Sequence, residues 1–455
     1  MRNDDCNRHL NWRSRAIVTY AEYFQKRSEL TMKDQLRPLL PLIAAGVVGC
    51  ASASAPTPGP QTAVPPPTGS FEVLGRGPIT ETHASDLWVF EGVDGRDYAY
   101  VGTWGACDGC YGDRMYAWDV TNPQDPVLTD SVVVDARVVN DVKVNEAGTV
   151  AVITREGASN RRNGIVLLDL SEPAHPTVAS EYWETLTGGV HNTFIDGDFV
   201  YAVHNGTADL HIIDISNLKA PAEIGRWGIP IHPAKYLHDV WVEDGLAYVS
   251  YWDDGLVILD VGNGIEGGTP EEPVFVSQYR YQTSFQGDDY GNTHTAVPYT
   301  NAAGNRYIFV GDEIFPEGFD VEQRDQHPGG YVHVVDISDL QNPVEVAKYE
   351  VPGAGVHNLW LEDDILYAAY YNAGLRAVDV SGDLQGDLRL QDREIAVLLT
   401  EDEDAFIETR TFTWGPQLYK GTVFASDHNS GLWVARLPPN AKPPVRTEGV
   451  GNNGS

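Results

Sequence analysis

"LAYVSYWDDGLVILDV", residues 246–261, sets two short apolar stretches around a Trp-Asp-Asp-Gly segment and closes on Asp260 and Val261. Each stretch is rich in β-branched and aromatic residues and too short for a helix, and the Asp-Asp-Gly between them is hairpin punctuation. The second stretch, Leu256 to Leu259, is apolar at four successive positions and lacks the polar alternation of a strand that faces water on one side. Such a strand has to be covered on both faces.

The same pattern recurs in "RMYAWDVTNPQDP" (114–126), "GIVLLDLSEPAHP" (164–176), "LHIIDISNLKAP" (210–221), "YVHVVDISDLQNP" (331–343) and "LRAVDVSGD" (375–383). Each joins an apolar strand to an Asp, an aliphatic residue and mostly a Ser or Thr. A weaker copy, "LWVARL" (432–437), carries Arg436 where the Asp belongs. Strand-like segments precede each copy and follow most of them. Four strands per unit and seven units, spaced mostly 43 to 57 residues apart, predict an all-β, seven-bladed β-propeller. "FEVLGRGPI" (71–79) reads like the fourth-strand segment "AEIGRWGIP" (222–230), so the N-terminal strand is expected to join the last blade and close the ring over 71–437.

"LVILDV", "LHIIDI" and "YVHVVDI" resemble the LVIVD repeat of exported bacterial and archaeal propellers. The resemblance spans essentially 71–437 and implies the fold without specifying an activity. The recurring Asp119, Asp169, Asp214, Asp260, Asp336 and Asp379 end a strand before a turn, where a carboxylate can accept backbone N–H groups. These six are read as structural.

The upstream sequence reads as an export signal. "MKDQLRPLLPLIAAGVVGC" begins at Met32, continues through an apolar run and ends on Gly49-Cys50, which resembles a lipobox. We therefore expect translation to start at Met32 and leave out 1–31, a signal peptide over 32–49 and a lipidated Cys50. A Pro-rich tether then runs to residue 70, and a disordered tail occupies 438–455. The expected location is the cell envelope, on the outer membrane where one exists, with the lipid as anchor and the protein a monomer. Cys107 and Cys110 are expected to form a local disulfide in that oxidising compartment.

The formal charge is −34; removing 1–49, with eight basic and five acidic residues, leaves 23 basic against 60 acidic, or −37. So negative a surface repels phosphate backbones, which argues against nucleic-acid binding and favours cationic ligands.

The tetrapeptide Gly-Val-His-Asn occurs twice, at 189–192 and 355–358, each time where a blade's first strand should begin. Aligning the other blades on that point gives Ser85-Asp86, Asn140-Asp141, His238-Asp239, His294-Thr295 and, in the seventh, Phe412-Thr413. First strands line the channel of a propeller, so His191, His238, His294 and His357 are expected to form an arc at its mouth. The loops between second and third strands share that face and bring Arg155, His204, Asp253, Asp312, Glu313, Tyr371 and His428 to the rim beside Asn140. Two functions follow as expectations. One is a ligand- or protein-binding module acting through the mouth. The alternative is a metal-dependent oxidoreductase or hydrolase, with Fe, Cu or Zn on the four imidazoles; the negative charge also suits Ca.

Overall fold

The computed structural model describes residues 69–438 except 106–109, 281–291, 317–318, 321–322 and 324–325. The expected signal peptide, Cys50, nearly all of the expected tether and the tail beyond Pro438 lie outside these residues, as does Cys107; Cys110 is disulfide-bonded.

Seven sheets with antiparallel four-stranded blades follow one another along the chain, the fifth extended by the short parallel strand Gly386–Asp387, and no helix occurs among the described residues. Blade 4 is representative: Leu237–Glu243, Leu246–Tyr251, Gly255–Asp260 and Val274–Tyr279 pair in sequence order. In the last blade Thr413–Tyr419, Thr422–Asp427 and Gly431–Arg436 pair in order, and the fourth strand is Glu72–Pro78 from the other end of the chain. Arg436, in the place of the motif Asp, forms an ion pair with Glu72 on this closing strand. Gly77 faces the indole of Trp118 so closely that a Cβ would stand 2.9 Å from its ring, so the closing strand passes there only as glycine.

The repeat motif is apolar on both faces because every blade is sandwiched. Val257 and Leu259 belong to the core shared with blade 3, together with Tyr201, Val203 and Leu210. Their neighbours Leu256 and Ile258 belong to the core shared with blade 5, together with Ile308 and Val310. Seven such clusters occupy the seven interfaces between neighbouring blades. The motif aspartates do the expected work. Asp119, Asp169, Asp214, Asp260, Asp336 and Asp379 each accept the backbone N–H two residues on, at 2.7 to 3.0 Å. Asp260 also takes N–H groups from Gly264, Glu266 and Gly268; burial opposes its charge, but these donors hold the carboxyl down at about 2.

The channel is closed by aromatic rings partway along the first strands. Trp88, Phe194, Trp241 and Trp360 form a circuit, with ring centroids 6.5, 5.0, 5.9 and 5.9 Å apart. Lys143 lies against Trp88 and bonds Asp86 and Asp141, forming a buried charged tier beside the plug. Burial raises the carboxyl of Asp86 to about 6 and that of Asp239 to about 7.

Phe71, immediately before the closing strand, packs with Ile395, Leu398 and Trp433 between the last two blades. Phe71→Ala is expected to cost about 3 kcal/mol. The loss would appear as a lower urea midpoint at unchanged slope, and an unchanged midpoint would mean that the ring does not depend on this end for closure.

Candidate functional site

The first strands of blades 3, 4, 5 and 7 enter their sheets through a register shift that places extra residues opposite the neighbouring strand. The shifts lie between Val190 and Thr193, Leu237 and Asp239, Thr293 and Thr295, and Thr413 and Gly415. A bulge re-aims the side chains it carries. His191, His238 and His294 sit at three of these bulges. The fourth carries Trp414, which corrects the alignment of the seventh blade: Thr413 pairs with Asp427 and Gly415 with Ser426, so the position matching His238 is Trp414 and not Phe412.

The four imidazoles form a continuous arc. Ring centroids are 4.6 Å apart for His191 and His238, 4.2 Å for His238 and His294, and 4.0 Å for His294 and His357. Trp414 extends the arc 4.0 Å beyond His357, and Trp104 lies between Trp414 and His191 at 5.7 and 6.3 Å. The result is a closed aromatic collar, to which blade 2 contributes Asn140. Its amide donates to the carbonyl of His191 at 3.2 Å and to Asn192 Oδ1 at 2.8 Å.

Backbone carbonyls set the tautomers. His238 Nδ1 donates to the carbonyl of His294 at 3.1 Å, and His357 Nδ1 donates to that of Trp414 at 2.7 Å. A carbonyl can only accept, so the proton sits on Nδ1 and Nε2 keeps its lone pair. His191 differs: its Nδ1 lies 2.7 Å from Glu156 Oε1. Burial opposes a charge on His191, but the Glu156 carboxylate outweighs it and its pKa lies above the ordinary value. Burial, reinforced by neighbouring imidazoles, pushes His238, His294 and His357 well below it.

His294 stands at the centre of the arc, and neither of its ring nitrogens has a hydrogen-bond partner. The nearest carboxylate is Glu313, with Oε2 3.9 Å from His294 Nε2. Glu313 accepts the hydroxyl of Tyr371, and burial raises its carboxyl to about 8. One ligand atom each from His238, His294 and Glu313 lie within 4.8 Å of one another.

Of the expected rim, Asn140, Glu313 and Tyr371 meet the arc, and His428 stacks on Trp414 at 4.6 Å. Asp253 is half-buried beside Trp252. Arg155 instead forms an ion pair with Glu181 at 2.8 Å, and Asp312 bonds His333, on its own blade, at 2.7 Å. His204 bonds Gly188 and Thr207 and touches His211. Glu156, on the expected rim loop with Arg155, reaches His191, while Trp414 and His83, which stacks on His428 at 4.1 Å, join the collar or its surroundings without having been singled out. Nothing in the local pattern marked His83.

The fold is a closed seven-bladed propeller, and four of its blades contain LVIVD repeats. The LVIVD repeat model matches residues 159–184, 187–228, 235–279 and 328–351, in blades 2 to 5. Among solved structures, the β-propeller domain of Myceliophteria thermophila Cps50 (Swd1) aligns with 10% identity and a TM-score of 0.50, over 78% of this chain and 98% of that one. The computationally designed Ika8 protein aligns with 9% identity and a TM-score of 0.47, over 81% of this chain and 100% of that one. At these identities the likeness is one of fold alone. No curated protein matches the sequence.

His204 gives the molecule an acid-sensitive joint. Its Nε2 accepts the backbone N–H of Gly188, and burial lowers its pKa to about 4. The unfolded chain therefore binds this proton more readily than the fold does, and stability falls as pH drops from the unfolded value of 6.5 toward 4. His204→Gln should remove about 2 kcal/mol of the loss between about pH 7 and about pH 5. Urea titrations at the two pH values measure it, and an unchanged difference would show that His204 titrates normally.

Proposed function

We propose that this protein is an exported, lipid-anchored binding propeller whose mouth face takes a small ligand or a partner protein. The observation that carries the reading is the asymmetry of the two channel ends: an aromatic plug fills one side, while loops of several blades converge on the other in a collar of His, Trp, Glu and Tyr. A collar with fixed imidazole tautomers beside a buried carboxyl offers specific donors and acceptors in an apolar frame, which is the composition of a ligand site. The export reading rests on Met32 to Cys50, and the negative charge favours a cationic occupant over a phosphate-bearing one.

Trp104, Trp252 and Trp414 ring the mouth, so occupancy should change intrinsic fluorescence. Titration with divalent cations, amines and small organic acids is expected to yield at least one saturable change, diminished in Trp104→Phe. No response from any class would defeat the mouth as the binding surface. For the anchor, the expected result is lipid labelling that is lost in Cys50→Ala, and an unlabelled wild-type protein would count against it.

A further inference from the structure

The geometry points to a mononuclear transition-metal site at the mouth, ligated by His238, His294 and Glu313, with His191 and His357 as flanking groups outside the ligand set. The inference rests on the mouth being the binding surface and names the occupant.

His294 is the main argument. It is 0% exposed, and both ring nitrogens lack a hydrogen-bond partner. An imidazole taken out of water with nothing on either nitrogen loses its hydrogen bonds to water without replacement, and such a group in a folded protein calls for an occupant. Glu313 is 3% exposed and faces His294 at 3.9 Å, too far for a hydrogen bond. A cation between them would satisfy both.

His238 supplies the third donor in the required form. Its Nδ1 proton is committed to the His294 carbonyl, which leaves Nε2 as a metal ligand and fixes the ring's orientation from behind. Tyr371 holds Glu313 in the same way through one oxygen, leaving Oε2 toward His294.

The distances are close to what an ion needs. Bonds of ~2.1 Å in tetrahedral geometry place two ligand atoms ~3.4 Å apart, so separations within the present 4.8 Å have to close by up to ~1.4 Å on binding.

Of the flanking imidazoles, His191 is engaged by a carboxylate, while His357 has the same tautomer as His238 but lies outside the group of atoms within mutual ligand range. Among the described residues only His238, His294 and Glu313 come within that range. Two imidazoles and one carboxylate with further positions open is the donor set of mononuclear Zn²⁺ hydrolytic sites and non-haem Fe²⁺ sites. The occupant is accordingly a divalent first-row transition metal and not Ca²⁺, which prefers six to eight oxygens.

The test uses the full chain, purified without a histidine tag and stripped of metal, and titrated with Co²⁺ and then Zn²⁺. The expected result is one equivalent of Co²⁺ with ligand-field bands, displaced by Zn²⁺. His294→Gln and Glu313→Gln should each weaken binding by more than ~100-fold. His191→Gln and His357→Gln should stay within the ~10–100-fold typical of groups behind the ligands. X-ray absorption of the Zn²⁺ form of the unmutated protein should count two imidazoles, which keeps the ligand set testable if a variant fails to fold. Absence of stoichiometric metal, binding that survives both ligand substitutions, or four imidazoles on the ion would each overturn the assignment. Organic ligands that still perturb the mouth tryptophans in a protein that takes no metal would remove the metal and leave the binding reading intact.

Discussion

Everything in this molecule depends on burying both faces of each blade. A four-stranded sheet whose third strand is Leu-Val-Ile-Leu cannot leave either side in water. Covering roughly four such side chains is worth about 1.5–3 kcal/mol apiece, and one neighbour covers only alternate residues. The second face requires a second neighbour, and repeating that demand around the chain ends only when the ring closes. Closure then fixes the role of the N-terminal strand, which completes the last blade by covering the edge of Gly431–Arg436.

The ring has a chemical consequence at its axis. First strands converge there, and their entry bulges turn side chains inward, so one position per blade becomes a shared environment. Residues 56 positions apart in sequence, His238 and His294, then hydrogen-bond through ring and carbonyl. Neighbouring blades thus orient three of the four imidazoles, His191 through Glu156 and His238 and His357 through backbone carbonyls. The charged tier of Lys143, Asp86 and Asp141 and the aromatic plug close the channel behind them.

Glu313 shows how the same convergence creates an electrostatic tension. Its carboxyl enters from the loop after the second strand of blade 5, reaches a space walled by aromatic rings and is driven toward the neutral form by burial. The three inner imidazoles are driven neutral by the same desolvation. The imidazoles thus hold the lone-pair form that a metal ion takes, whereas the Glu313 carboxyl has to release its proton before it can serve as a ligand.

The fold was legible because its determinants are local and repeated. The apolar run, the terminal Asp and the turn recur often enough to define blade, count and closing strand, and even the backbone bonds of the motif aspartates follow from their place before a turn. The first-strand alignment also found the four histidines, because a repeat address is a sequence property. It misplaced the seventh blade by two residues, since a bulge changes register without changing composition and Trp414 bears no likeness to histidine. What tertiary structure alone decided is partnership. Glu313 and His204 looked alike as rim residues, yet one reaches His294 and the other turns to its own blade's Thr207 and His211. That choice depends on side-chain direction and on which loops meet across the axis, and both arise only when seven blades close around it.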